Sequence, residues 1–346
     1  MAQEQNHEHT ADYRVRRGQA IETFVEAFAA GPDSDLLAQM LVTITRLARD
    51  QVDRGDLKLL TNALKELRYA FKVFAPYRHV RKVSIFGSSR TPPDHPEYLQ
   101  ADAFARLMRE RNWMVITGAG DGIMGAGHVG AGAEASFGVA IRLPFEQKTN
   151  EIIAEDPKLV HFRYFFTRKL LFLKEASAIA LFPGGFGTQD EGFEALTLIQ
   201  TGKAELVPIV LVDAPGGTYW SRWRDYVVSD LLQRGMISPE DMDLFLLTDD
   251  PREAADHITR FYRRYHSARY VDDRLVVRIN EPLPTAALTR LNERFTDILD
   301  SGQIEQLPGP LDGEEGHWPE KARLTLHFNR KDVGRLRQLI DALNAE

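Results

Sequence analysis

Pro183-Gly184-Gly185-Phe186-Gly187-Thr188-Gln189-Asp190-Glu191 stands between an apolar run, residues 178–182, and a helical pattern, residues 191–200. Strand, glycine turn and helix in this order bring backbone N–H groups and the positive end of a helix to an anion. The glycines permit close backbone approach, and Thr188 can cap the helix or bind a phosphate oxygen. Glu191 is out of place in such an entrance, because its charge repels the anion that the turn attracts. A site that only held phosphate has little use for it; a site with chemistry beside the phosphate does.

Outward from this stretch, short apolar runs alternate with helical patterns. Val83-Ser84-Ile85-Phe86 leads into the turn Gly87-Ser88-Ser89-Arg90 and a helix over about 96–111. Met114-Val115-Ile116-Thr117 leads into the loop 118–125 and a helix of small residues to about 135. Further strands are expected near 138–143, 159–162, 178–182, 208–212 and 244–247, with helices between them and the last ending near 265. The pattern predicts a Rossmann-like α/β fold, a doubly wound, mostly parallel sheet with helices on both faces. In such sheets ligands sit at the carboxyl ends of strands. All three glycine turns (87–90, 118–125, 184–188) follow strands, so all three can share one rim.

The two ends read differently. Residues 1 to about 10 are polar and expected to lack regular structure, with His7 and His9 solvated. From about 11 to 78 three apolar stripes at helical spacing predict a helical appendage, packed on the main domain or on a partner subunit. Beyond 270, a strand at 275–279, a helix at 285–299, an acidic Gly/Pro-rich stretch at 307–319, a strand at 324–328 and a helix at 332–344 predict a small α+β module, taken as structural support. The domain boundaries are therefore 1–80, 81–270 and 271–346.

The bulk composition narrows the function. With 346 residues and a net charge of −7, the chain is poorly suited to broad contact with nucleic acid or an anionic membrane. It has no cysteine, which removes thiolate metal sites, disulfides and cysteine nucleophiles. No secretory leader or spanning apolar run is visible, and a cytoplasmic location is expected. No aspartate-rich or His/Glu metal spacing appears, so neither a metal nor a cofactor is expected.

Gly120-Asp121-Gly122-Ile123-Met124-Gly125 fits GxGxxG after a strand, the pattern of dinucleotide binding. That reading needs an acidic residue at the end of the next strand for the ribose hydroxyls, and none occurs before Glu146. The turn then suits a mononucleotide or a phosphate, and an NAD-dependent oxidoreductase falls. Upstream, Arg168-Lys169 stand near a predicted helix start, where the dipole favours acids. Either they are a solvated basic pair or they hold an anion.

The stretch 183–191 is the PGGxGTxxE signature of the LOG (LONELY GUY) family, and Arg168-Lys169 match that family's upstream RK pair. Members have often been labelled lysine decarboxylases but resemble nucleotide phosphoribohydrolases. The resemblance covers about 82–265 and implies cleavage of the N-glycosidic bond of a nucleoside 5′-monophosphate, to free base and ribose 5-phosphate. It makes Glu191 and Arg168 the catalytic pair. Gly184, Gly185, Gly187 and Thr188 would bind the 5′-phosphate, with Ser88, Ser89, Gly118, Gly120, Gly122 and Lys169 completing the pocket. It further implies a homodimer or larger assembly with the site at the subunit interface. The turn 118–125 is one residue shorter than the plant-type GGGxxGLMG; this is similar to the bacterial nucleotide 5′-monophosphate nucleosidases and points to AMP or related purine nucleotides, with cytokinin riboside monophosphates as a further candidate. A different class of function on the same fold, a non-catalytic nucleotide-binding sensor, would need the phosphate turn but not Glu191.

Overall fold

The structure, a computed structural model, describes residues 2–28, 31–143, 149–314 and 318–346, with side chains from residue 15 onward. It divides into two compact units, 1–65 and 66–346. The first contains helices α1 (Ala2–Phe28) and α2 (Ser34–Arg49) and the start of α3 (Arg54–Phe74). Residues 2–10, expected to lack regular structure, continue α1 instead. They hold Ala, Glu and Gln, good helix formers that need no apolar stripe. Within this unit Ile21, Val25 and Ala63 are buried, whereas α2 buries none of its residues.

The second unit opens with the end of α3, where Phe74 stacks on Phe137 at 4.3 Å. There follow β1 (Lys82–Phe86), α4 (Pro96–Glu110), β2 (Met114–Thr117), α5 (Ile123–Ala131), β3 (Ser136–Ile141), β4 (Leu159–Phe162), α6 (Phe165–Lys174) and β5 (Ala178–Leu181). Then come α7 (Phe186–Gln200), β6 (Ile209–Val212), α8 (Tyr219–Tyr226), β7 (Phe245–Thr248) and α9 (Pro251–Phe261). The seven strands form one parallel sheet in the order β4-β3-β2-β1-β5-β6-β7. The strands read as continuous apolar runs because both faces are covered. Alternate side chains go to opposite sides. Val83, Ile85, Ala178 and Ala180 pack with α4, α5 and α9, while Phe86, Ile179 and Leu181 pack with α6 and α7.

The chain starts in the middle of the sheet, winds outward to β4, then returns to lay β5 on the other side of β1. This reversal opens a crevice at the carboxyl ends of β1 and β5, where a doubly wound fold binds its ligand.

The C-terminal segment is a four-stranded antiparallel sheet in the order β10-β11-β9-β8, built from β8 (Tyr265–Val271), β9 (Arg274–Ile279), β10 (Leu299–Leu307) and β11 (Ala322–Phe328), with helices α10 (Thr285–Arg294) and α11 (Val333–Ala345). Two strands depart from the expectation. The segment expected to be helical to 299 stops at Arg294, and β10 follows; β8 begins at Tyr265, before the expected boundary at 271. β10 is a polar, largely exposed edge strand and so shows little apolar alternation. The acidic stretch at 307–319 carries a buried ionic cluster: Glu314 accepts from Arg278 Nε at 2.7 Å and from Arg323 Nε at 3.0 Å. Asn344 ties α11 back to the α/β part, accepting from Arg264 N and Tyr265 N and donating to Phe261 O. Among the described residues no helix is long and apolar enough to cross a membrane.

Candidate active site

The turns after β1 and β5 are bonded to each other. Ser88 N donates to Pro183 O at 3.0 Å, and Phe182 N donates to Phe86 O at 2.9 Å. Between them opens a cavity of about 840 Å³, within the range of small-molecule sites. Its polar end is formed by Ser88, Ser89, Arg90 and residues 184–189, and its apolar side by residues such as Met124, Ile141, Phe165 and Phe172.

α7 begins earlier than the sequence pattern shows, at Phe186, with Gly185 as its N-cap. Thr188, a candidate cap, is instead inside the first turn, and no side chain caps this helix. The first amides of a helix have no partner within it, and those of residues 185–188 have no other acceptor among the described residues. Open amides at the positive end of a helix are suited to receive an anion, and this entrance is here termed the cradle. Gly184 is obligatory there: a Cβ at this position would stand 2.1 Å from Thr188 Oγ1 and 3.0 Å from Ser88 N.

Arg168 and Glu191 meet at the same cavity, Nη2 to Oε1 at 3.5 Å. Glu191 is only 6 % exposed. Burial pushes its carboxyl up to about 7, and the opposing pull of Arg168 and Lys169 does not reverse this. An ion pair alone would lower it, so desolvation dominates this loose contact. Burial likewise lowers the Arg168 guanidinium, against the field of Glu191 and Asp190. The Arg168 head lies over Phe165 and Phe172, 5.0 Å and 5.5 Å from the ring centroids. The result is a buried carboxyl raised to about 7, beside a guanidinium and at the edge of the open amides of α7.

The expected residues divide in two. Arg168, Glu191, Gly184, Gly185, Gly187, Thr188, Ser88, Ser89 and Gly118 all line the cavity. Gly120, Gly122 and Lys169 do not. Gly122, at φ +63°, lies against the 88–89 backbone, where a Cβ would be 2.3 Å from Ser88 O, so it fits the second turn behind the first. Gly120 O accepts from Asn150 Nδ2 at 2.9 Å. Lys169 turns to Asp190 and Glu194, at 2.8 Å and 2.7 Å. Burial disfavours its charge, but these two carboxylates outweigh that and raise it. Glu146 lies outside the described residues.

Two contributors escaped the sequence reading. Tyr219, the first residue of α8, donates its hydroxyl to Gly184 O at 2.5 Å and receives Gln189 Nε2 at 2.6 Å. Its signal was the Gly216-Gly217 turn after β6, a fourth glycine turn following a strand. Glu66 accepts from Arg163 N and Thr167 Oγ1, both at 2.8 Å, and so places a carboxylate at the start of α6, the helix that carries Arg168. Nothing in the local sequence marks it. Among the described residues no group of His, Asp or Glu is arranged to hold a metal ion.

Fold and site together give an α/β protein whose sheet reversal sets open helix amides beside a carboxylate–guanidinium pair. Residues 121–258 match the family model described as possible lysine decarboxylase, so this segment, which holds the 183–191 signature, is similar to that family. A cytokinin riboside 5′-monophosphate phosphoribohydrolase of Mycobacterium tuberculosis is 28% identical over 165 residues, which span 47% of this chain and 86% of that protein. Among solved structures, an X-ray structure from the Northeast Structural Genomics Consortium is 20% identical and covers 52% of this chain and 99% of its own, with a TM-score of 0.38. The molybdenum cofactor carrier protein of Chlamydomonas reinhardtii is 15% identical, with 52% and 97% covered and a TM-score of 0.37.

Proposed function

We propose that the protein hydrolyses the N-glycosidic bond of nucleoside 5′-monophosphates, releasing free base and ribose 5-phosphate. The observation that carries this reading is Glu191, a buried carboxyl held near neutrality and set beside the open amides of α7. The 5′-phosphate binds at those amides and supplies remote binding energy that aligns the ribose. The bond from C1′ to the base nitrogen then breaks, its electron pair leaving with the base, and C1′ becomes oxocarbenium-like, as in glycoside hydrolysis. The Glu191 carboxylate stabilises this cation and takes a proton from the attacking water, whose oxygen bonds to C1′. That proton passes on to the departing base, so water is split between the two products. Arg168 stabilises negative charge on the phosphate or the departing base.

The substrates favoured are AMP and related purine nucleotides, as for the bacterial nucleosidases that the short 118–125 turn resembles. A homodimer with the site at its interface is part of the reading. In support, Phe165 and Phe186 line the cavity while 52 % and 96 % exposed, an apolar rim that a second copy would cover. Light scattering that finds only monomer at working concentration would overturn the dimer. For the activity, the test is incubation with AMP, GMP, CMP, UMP and a cytokinin riboside monophosphate, following released base by chromatography. Release from at least one supports the hydrolase. Nucleotide binding without release from any of them marks the non-catalytic sensor instead.

A further inference from the structure

We propose that Tyr219, oriented by Gln189, is a positioning residue that aligns the phosphate cradle and thereby sets the preference of this site for phosphorylated over unphosphorylated ribosides. This rests on the hydrolase reading for its kinetic arm and on geometry for the rest. The cradle turn cannot be held by a side chain of its own, because Gly184 has no room for one against Thr188 and Ser88. It is held through its carbonyl. Gln189 donates to the Tyr219 oxygen at 2.6 Å, which leaves the single phenolic proton for Gly184 O at 2.5 Å.

The Gly184 carbonyl belongs to the same planar trans peptide as the Gly185 N–H, so fixing the oxygen fixes the direction of that N–H. Gly185 lines the cavity, and its amide has no acceptor among the described residues. The relay therefore sets the aim of one donor of the anion cradle while touching neither Arg168 nor Glu191. Gln189 belongs to α7 and Tyr219 to α8, so one hydroxyl couples the turn to two helices. The Tyr219 ring packs edge-on against Trp220 at 4.8 Å, a contact that survives loss of the hydroxyl.

The test compares wild type with Tyr219→Phe in two assays: binding of ribose 5-phosphate by titration calorimetry, and kcat/KM on AMP and adenosine. Loss of one hydrogen bond at the cradle is expected to weaken ribose 5-phosphate roughly tenfold and to lower kcat/KM on AMP by a similar factor, with adenosine unchanged. Gln189→Leu should lose about threefold, and no more than Tyr219→Phe when the two are combined, because both act through one hydroxyl. Unchanged ribose 5-phosphate affinity in Tyr219→Phe overturns the proposal. So do equal losses on AMP and adenosine, which a merely structural role would give, and so does a wild type that binds no ribose 5-phosphate. If Tyr219→Phe does not fold, Gln189→Leu alone decides by the same binding assay. Should wild type bind ribose 5-phosphate yet release no base from any nucleotide, the hydrolase reading fails while the binding arm still decides the role of Tyr219.

Discussion

Arg168 Nη2 and Glu191 Oε1 stand 3.5 Å apart, yet the carboxyl of Glu191 is raised to about 7 rather than lowered. The pair is close enough to share a field and too loose, in so buried a place, to keep the carboxyl fully ionised. This fits a group that must change protonation during turnover better than it fits a structural salt bridge.

The first consequence concerns the pH profile. The ionised carboxylate is the working form, so kcat/KM should rise with pH through a midpoint near 7. Arg168 holds the carboxyl down, so Arg168→Gln should move this limb to higher pH as well as lower the maximum. A flat profile across this range would remove Glu191 from the chemistry.

Stability carries the same signature. The folded state binds the Glu191 proton more tightly than the unfolded chain does, so that contribution is complete below the usual 4.5 and lost as pH rises through about 7. Glu191→Gln does not titrate. Across this interval wild type should lose up to about 3 kcal/mol relative to the variant, read as the change in their difference in urea midpoints. A difference independent of pH would contradict the buried placement.

The cradle glycines should separate by geometry. Gly184→Ala drives a methyl into Thr188 and the backbone of Ser88, and should abolish nucleotide binding. Gly187→Ala meets nothing within 4 Å and lies in the first turn of α7. It should fold at least as stably as wild type, gaining up to about 1 kcal/mol from helix propensity. Thermal melts and phosphate titrations of the two variants check this.

Glu66→Ala should expose the dependence of Arg168 on its helix. It removes the acceptor of Arg163 N and Thr167 Oγ1, at a cost of roughly 1–2 kcal/mol. We expect kcat to fall more than nucleotide affinity, measured by steady-state kinetics and calorimetry, since the phosphate cradle lies on another helix.

Much of this was legible in the chain, for physical reasons that differ between its parts. The parallel strands were clear because residues such as 83–86 and 178–181 are apolar on both faces. Arg168 stands out because a basic residue at a helix start opposes the helix dipole, and Glu191 because an acid beside an anion-binding turn repels the anion; their pairing is what the family signature implies. β10 was missed because an exposed polar edge has no period to read. Glu66 and Tyr219 were missed because their roles exist only after folding, in hydrogen bonds to residues about a hundred and 35 positions away respectively. Lys169 was assigned to the pocket on the strength of its neighbour, but successive helix positions point about 100° apart, and its partners are Asp190 and Glu194.

If Glu191 acts on the ribosyl–base bond, Glu191→Gln removes the chemistry and leaves binding in place. At saturating AMP, base release by wild type and variant should be followed in one experiment, with AMP affinity measured in parallel by calorimetry. Affinity should stay within about threefold of wild type while base release slows by roughly a hundredfold or more. Base release at the wild-type rate from a variant that binds AMP normally would contradict this role of Glu191.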